Sequence, residues 1–216
     1  MGELNPVTLG IIAITVLISM KGFSDPIFFD KYKFNIGRIR QGEQIRMISS
    51  GFLHLDFSHL LFNMLTLYFF ADVVIFQIGI VKFLILYVVS LIAGNLLSFY
   101  FHRDEYYYSA IGASGAVMGV LYAAILFYPD MSLYLFFIPI PIPAWIFGMA
   151  YLLYSIYGMK KRIGNIGHDA HIGGAVGGYL LTLLFAPYLF QTSLWIVILL
   201  AVPLVVLVVL HHYGKI

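Results

Sequence analysis

The sequence predicts an all-α protein, a polytopic membrane helical bundle, on the strength of three observations. Hydrophobic residues make up 62% of the 216 residues, only 10% are charged, and the mean hydropathy is +0.95. Long apolar runs recur along the chain and short connections join most of them, as in membrane proteins with several spans. Aromatic residues, 17% of the total, concentrate near the ends of these runs, as at a membrane–water interface. We therefore expect a single domain over residues 1–216.

Seven apolar runs are predicted to span the membrane. Asn5 and Pro6 suit the cap and the first turn of the first run, which lacks the pattern of a cleavable signal peptide. Repeated prolines exclude a helix over Met131–Ile142, which we interpret as an interfacial loop. The long polar connection Lys21–Asp56 holds half of the Lys and Arg residues, and loops of this length are often functional. The predicted spans are Pro6–Met20, Phe57–Ile78, Phe83–Phe101, Ile111–Tyr128, Ala144–Tyr157, Asp169–Tyr188 and Leu194–Leu210.

The composition also excludes several classes of function. The chain has no cysteine, so disulfides, thiolate catalysis and cysteine zinc sites are ruled out. The net charge of +2 is small and spread over the connections, without a basic stripe with interleaved aromatics. Nucleic-acid binding is therefore not expected.

Four polar side chains within the predicted spans point to chemistry: His59, Asn63, Ser114 and His171. Polar groups in a membrane span are costly, so they call for a functional explanation. His59 and Asn63 are four residues apart, hence on one helix face, and both offer hydrogen-bond donors that suit an oxyanion. Ser114 and His171 are a hydroxyl nucleophile and an imidazole base. Taken singly, most of these residues have a plain structural explanation, but their joint occurrence favours a catalytic site.

Glycine patterns predict that the fourth and sixth spans pack closely. Pairs of glycines four residues apart let helix backbones approach each other. Such approach would bring Ser114, which we place one turn into the fourth span, within hydrogen-bond reach of His171 as a dyad for acyl transfer. The pairs are Gly115 with Gly119, Gly173 with Gly177, and Gly174 with Gly178.

A third member of this dyad is not evident from the sequence. Asp169 lies two residues before His171, on a different helix face, so a direct Ser-His-Asp triad is disfavoured. We interpret Asn165 and Asp169 as capping residues, and Ser58 as a possible cap of the second span. Met118, one turn after the serine, is a candidate to pack against the imidazole. Histidines near the interfaces are expected to be solvated: His102, His168, His211 and His212.

The motifs resemble those of the rhomboid intramembrane serine proteases. That family has His-xxx-Asn in the second span, Gly-x-Ser-Gly opening the fourth, and Ala-His-xx-Gly-xxx-Gly in the sixth. This chain has the same motifs in the same order, at His59–Asn63, Gly112–Gly115 and Ala170–Gly178. His54 matches a family histidine five residues before the oxyanion histidine, and Arg46 matches the arginine of the first long loop. The resemblance covers roughly residues 46 to 178.

The resemblance implies a six-helix rhomboid core over about residues 46–190, with a seventh C-terminal span over about residues 194–210. Ser114 would attack the scissile carbonyl while His171 takes its proton. His59, Asn63 and the backbone N–H of Ser114 would stabilise the oxyanion. The expected partners are single-span membrane-protein substrates and the lipid bilayer, and no cofactor or metal is expected. Supporting roles would fall to Gly112, Gly115, Gly174, Gly178, His54 and Arg46.

Other functions stay open at this point. An inactive rhomboid relative could act as a membrane chaperone or extraction factor, although such proteins have lost the serine or the histidine, and both are present here. A transporter or haem protein could use His59 and His171 as proton relay or ligands. Asp72 is the only acid well inside a span, and the glycine stripes leave little room for a porphyrin. A zinc protease is disfavoured because the chain has no His-Glu-xx-His.

The charge distribution bears on membrane orientation. The family topology places the N-terminus in the cytosol and the active site toward the extracytoplasmic face of the cell membrane. Eleven of the twelve Lys and Arg residues then lie on the outer side, with Lys82 inside, whereas the positive-inside rule predicts the reverse. We keep the family orientation because the first loop is expected to be embedded and packed.

Overall fold

The computed structural model describes residues 5–134, 140–164 and 166–216. Most of these residues are helical. In chain order the α-helices are α1 (Pro6–Ser24), α2 (Pro26–Tyr32), α3 (Ile36–Arg40), α4 (Arg46–Ser49), α5 (Phe57–Ile78), α6 (Ile80–Phe101), α7 (Ser114–Phe127), α8 (Ala144–Lys161), α9 (His168–Phe185), α10 (Leu189–Thr192) and α11 (Leu194–His212). Within the described residues, α1, α5, α6 and α11 are long and apolar enough to cross a membrane.

The seven predicted spans correspond to α1, α5, α6, α7, α8, α9 and α11, which confirms the helical membrane bundle. The second span is right at both ends. The fifth continues to Lys161, so two residues assigned to a basic connection form the last turn of α8. The sixth begins one residue earlier, at His168, and ends at Phe185. These shifts are small. An apolar run predicts that a helix is present more reliably than it predicts the residues at which the helix begins and ends.

Helix α7 lies at the centre of the bundle, and its neighbours are α5, α6, α8 and α9. It has 14 residues, and residues 115–126 are all buried. It starts later than predicted because Gly112 has φ +124, which a right-handed helix does not accommodate. Ser114 is therefore the first residue of α7, and its predicted position one turn inside the helix is wrong.

The core has two main parts, one on each side of α7. One part joins α7 to α5 and α6, and the other joins it to α8, α9 and α11. Tyr122 of α7 is fully buried in the second part and donates a hydrogen bond to the carbonyl of Gly148 in α8. Both parts of the core pack against α7 and hold it in place. The N-terminus of α7 is therefore held in place as well.

The connection between α1 and α5 is a folded segment and not an extended polar loop. It contains α2, α3, α4 and a 3-10 turn at Ser50–Phe52. Arg46 is 3% exposed and donates hydrogen bonds to the carbonyls of Asp30 and Lys33, at 2.7 and 2.8 Å. A single buried guanidinium thus ties together backbone from separate parts of the segment.

Two short antiparallel pairings were not evident from the sequence. Strand β1 (Phe34–Asn35) pairs with β2 (Ser109–Ala110), with Phe34 opposite Ala110. Strand β3 (Ser132–Leu133) pairs with β4 (Ile142–Pro143), with Leu133 opposite Ile142. The second pairing closes the proline-rich segment that we interpreted as an interfacial loop, of which residues 135–139 lie outside the described residues.

Helix caps follow the predictions only in part. Asn5 caps α1 as predicted, because its side chain accepts a hydrogen bond from the N–H of Val7 at 2.9 Å. Asp56 and not Ser58 caps α5. The cap of α9 is Gly167, without a side-chain hydrogen bond, so the prediction of Asp169 as a capping residue is wrong. Residue 165 lies outside the described residues.

Candidate active site

The N-terminus of α7 presents the candidate nucleophile. Ser114 is its first residue and is half-buried, and the preceding Ala113 makes no side-chain capping bond. The first N–H groups of a helix have no acceptor within that helix. The N–H groups of Ser114 and Gly115 are therefore donors at the positive end of the helix dipole, where a developing negative charge is stabilised.

His54 holds the turn that leads into α7. It is fully buried, with Nδ1 at 2.8 Å from Ser19 Oγ, and its Nε2 accepts a hydrogen bond from the N–H of Ala113 at 3.3 Å. Because Nε2 is an acceptor, Nδ1 carries the hydrogen and donates it to Ser19 Oγ. Burial, with a smaller contribution from His59 and opposed by Asp56, lowers the pKa of His54 to about 3. The ring is a neutral structural link between α1 and the serine turn.

The folded first connection also supports this turn. The N–H of Gly112 donates to the carbonyl of Ser50 at 3.0 Å. Asn95 of α6 donates to the carbonyl of Met47 at 2.7 Å and to Ser50 Oγ at 3.2 Å. Among the described residues, Arg46 bonds to Glu43 and to the carbonyls of Asp30 and Lys33, and not to the serine turn. Its supporting role stays a prediction.

His59 and Asn63 lie on one face of α5, as their spacing predicted. Asn63 is 6% exposed and donates one amide hydrogen to the carbonyl of His59 at 3.0 Å, which leaves its second amide hydrogen available. The ring of His59 packs on Gly112, where a Cβ would lie 2.8 Å from its Nε2 and 3.7 Å from Ser114 Oγ. Only glycine fits there, and both the His59 ring and Ser114 Oγ lie close to that position.

Glycine contacts join α7 and α9, which confirms the predicted close packing. A Cβ at Gly174 would overlap the carbonyl of Gly115, and a Cβ at Gly178 would overlap the carbonyl of Gly119. The other stripe of α9 faces α6, since a Cβ at Gly173 would lie 2.5 Å from the carbonyl oxygen of Ala93. Helix α9 is therefore packed against both α6 and α7 at backbone distance.

His171 is 8% exposed, and its ring contacts a residue that sequence reasoning missed. The hydroxyl of Tyr151 in α8 lies 2.7 Å from Nδ1 of His171. The two rings are tilted by only 29°, with centroids 5.9 Å apart. The sequence gives little indication of this contact. Tyr151 lies seven residues before Gly158, hence on the same face of α8, and Gly158 is where α8 packs on His168 of α9. A contact of Met118 with the imidazole stays a prediction.

Ser114 and His171, the two candidate dyad residues, lie on helices α7 and α9, whose backbones are in contact. Tyr151 contacts Nδ1 of His171, so Nε2 is the nitrogen that remains for the serine. Within the described residues, the Ser114 hydroxyl has no hydrogen-bond partner, so its bond to His171 stays a prediction. Catalytic hydrogen bonds are often long in a free enzyme and shorten when substrate binds.

Asp169 belongs to a different cluster and not to a triad with His171. Its carboxylate is 3.3 Å from Nε2 of His102, whose Nδ1 lies 3.1 Å from Glu105. The His102 ring stacks on Tyr108, with centroids 3.6 Å apart. Burial disfavours a charged ring, but the two carboxylates outweigh this effect and raise the pKa of His102. The cluster joins the end of α6 to the start of α9.

Two of the histidines expected to be solvated are therefore in contact with protein. His102 has a side chain only 20% exposed, and His168 is 3% exposed. The ring of His168 packs on Gly158 of α8, where a Cβ would overlap it. His211 and His212 are exposed, as expected.

The fold and these residues define a class: a polytopic helical membrane protein with a serine at a helix start and a histidine on an adjoining, glycine-packed helix. A Rhomboid domain model matches residues 41–188. The chain belongs to the rhomboid family.

Several curated proteins are similar to this chain. It is 35% identical over 140 residues to "Rhomboid protein 1, mitochondrial" of Saccharomyces cerevisiae. The aligned residues cover 63% of this chain and 40% of the yeast protein. It is 31% identical over 141 residues to "Rhomboid protease GluP" of Bacillus subtilis, covering 65% of this chain and 26% of that protein. The chain thus spans less than half the length of these two relatives.

A shorter relative is matched over more of its length. The "Putative rhomboid protease YdcA" of Bacillus subtilis is 31% identical over 157 residues, which cover 70% of this chain and 71% of that protein. Proteins named as proteases are thus among the relatives, beside mitochondrial proteins whose names give no activity.

Proposed function

We propose that this chain is an intramembrane serine endopeptidase that cleaves transmembrane segments of single-span membrane proteins. Ser114 attacks the scissile carbonyl carbon, and His171 accepts the hydroxyl proton through Nε2. The imidazolium then protonates the departing amine, and water releases the acyl group from Ser114. These are the steps of acyl transfer by a nucleophile and a single base.

The oxyanion of the tetrahedral intermediate accepts hydrogen bonds from the backbone N–H of Ser114, the free amide hydrogen of Asn63 and the ring of His59. The observation that carries the proposal is that the His59 ring and Ser114 Oγ both lie beside Gly112 at the uncapped start of α7. Donors fixed before reaction stabilise charge without reorganisation. The similarity to GluP and YdcA supports the same activity.

The first prediction tests the dyad. Ser114→Ala and His171→Ala each abolish cleavage of a model single-span substrate in liposomes, because the nucleophile and the base act as one unit. A serine-reactive fluorophosphonate labels the wild type and not Ser114→Ala. Ser132→Ala and His212→Ala are matched controls and retain activity, since both side chains are exposed and neither belongs to the proposed site. Ser132 follows the C-terminal end of α7, whereas Ser114 begins that helix.

Two outcomes would contradict the proposal. Wild-type turnover in either dyad variant, with the variant folded, removes that residue from the mechanism. Failure of the folded wild-type protein both to cleave and to react with the fluorophosphonate assigns the chain to the inactive relatives of the family, acting as a chaperone or extraction factor.

A further inference from the structure

Acyl transfer by a serine–histidine dyad requires one particular tautomer of the imidazole. The proposed function therefore requires that tautomer of His171. Nε2 of His171 must be unprotonated to accept the hydroxyl proton of Ser114, so Nδ1 must carry the hydrogen. In a catalytic triad, a buried carboxylate accepts that hydrogen and fixes the tautomer. The carboxylate nearest in sequence, Asp169, is instead engaged with His102 at 3.3 Å.

The group that meets Nδ1 of His171 is the hydroxyl of Tyr151, at 2.7 Å. A phenol oxygen accepts a hydrogen bond as well as donating one. The Tyr151 ring is half-buried and stacks on Phe147, one turn earlier in α8, with centroids 5.8 Å apart and planes 23° apart. Packing on both sides therefore restricts the rotation of the tyrosine and the direction of its oxygen.

The register of α8 on α9 is fixed close to this contact. Gly158 lies two turns after Tyr151 on the same face of α8. A Cβ at Gly158 would overlap the ring of His168, which is 3% exposed and three residues before His171. Two contacts on one face of α8 thus hold the first turn of α9, which is the turn that carries the candidate base.

We propose that Tyr151 is a positioning residue for the dyad, a proposal that rests on the proposed function. Its hydroxyl oxygen accepts the Nδ1 hydrogen of His171, holds the tautomer in which Nε2 is the base, and keeps that hydrogen bond when the ring becomes an imidazolium. A neutral acceptor replaces the carboxylate of a triad. Because α8 carries this acceptor, displacement of α8 from α9 breaks the hydrogen bond and leaves the base unoriented.

The test compares Tyr151→Phe with wild type, because phenylalanine keeps the stacked ring and removes only the oxygen. We expect kcat to fall on the order of 10- to 100-fold, less than the roughly 10⁴-fold loss when a triad carboxylate is replaced, with KM changed less than twofold. Tyr157→Phe, on the exposed face of the same helix, is the matched control and keeps wild-type kcat. Equal kcat in Tyr151→Phe and wild type overturns the proposal.

A second measurement does not depend on activity. The ¹⁵N shifts of the His171 ring, assigned with His171→Gln, report which nitrogen is protonated. We expect the wild-type ring to be protonated at Nδ1 and Tyr151→Phe to lose that preference, while an unchanged tautomer overturns the proposal. If the wild type neither cleaves nor reacts with the fluorophosphonate, the proposed function fails, and the ring tautomer still decides the role of Tyr151.

Discussion

At the scale of single residues, the candidate site depends on a neutral buried histidine, His54, that other polar groups hold in place. His54 donates from Nδ1 to Ser19 and accepts at Nε2 from Ala113, so it links α1 to the serine turn. A protonated ring has no acceptor nitrogen and cannot keep the second bond. Proton binding at His54 therefore competes with the geometry that presents Ser114.

This competition predicts how stability depends on pH. The pKa of His54 is about 3 in the folded protein, below the value of 6.5 expected in the unfolded chain. The unfolded state then binds the proton more readily, so this contribution is complete above pH 6.5 and is lost as pH falls from 6.5 toward 3. Thermal unfolding in detergent between pH 7 and pH 4.5 measures it.

The matched variant is His54→Gln, since glutamine supplies a donor and an acceptor but does not titrate in this range. We expect its melting temperature to fall less than that of the wild type over the same pH interval. Parallel curves for the two proteins would show that His54 does not take up a proton on unfolding.

At the scale of helices, backbone contact through glycine determines where the base lies. Helix α9 uses one stripe of glycines against α6 and the other against α7. Without a side chain between them, the two backbones cannot slide past each other without losing contact. The position of His171 in the first turn of α9 is thereby set by contacts further along the helix.

Two glycine-to-alanine substitutions with opposite effects test this interpretation. Alanine is favoured over glycine in a helix by about 1 kcal/mol, so Gly10→Ala in α1, where a Cβ meets nothing within 4 Å, is stabilising or neutral. At Gly178 the Cβ overlaps the carbonyl of Gly119, and overpacking costs about 1–3 kcal/mol, which outweighs the helix preference.

We therefore expect Gly178→Ala to lower the melting temperature of the purified protein and Gly10→Ala to leave it unchanged or raise it. Equal increases in both variants would mean that α7 and α9 separate at little cost and that the glycine contact does not position the base.

At the scale of the whole molecule, most basic residues lie in or beside the connections from α1 to α5, from α6 to α7 and from α8 to α9. The α6–α7 connection is the one that leads into Ser114. The expectation that packing hides these charges holds for Arg46, whose side chain is 4% exposed, and not for Arg162, which is 82% exposed. Within the part of the chain that the structure describes, six basic residues, the buried Arg46 among them, form salt bridges with nearby acids: Lys21, Lys33, Arg38, Arg46, Arg103 and Arg162.

Paired charges reduce the net charge moved across the membrane, so we still expect the end of the bundle with Ser114 to face the extracytoplasmic side. The natural sequence has no cysteine, which makes single-cysteine variants direct probes. In intact bacterial cells, a membrane-impermeant maleimide should label Arg162→Cys and not Lys82→Cys. Labelling of Lys82→Cys alone would show the opposite orientation, the one the positive-inside rule predicts.

The sequence by itself determined the membrane bundle, the order of its spans, the glycine stripes and the four candidate side chains. Each of these depends on patterns within one helix: the length of an apolar run, or the spacing of residues three or four apart. The second span was therefore predicted at both ends, and the close packing of α7 on α9 followed from glycines alone.

Only the tertiary structure decided what surrounds the base. The hydroxyl of Tyr151 at Nδ1 of His171, the pairing of Asp169 with His102, and the burial of His168 join residues from different helices. Such contacts depend on the rotation and register of one helix against another, which periodicity within a single helix does not specify. The start of α7 at Ser114 was likewise set by the positive φ of Gly112, held by the first connection.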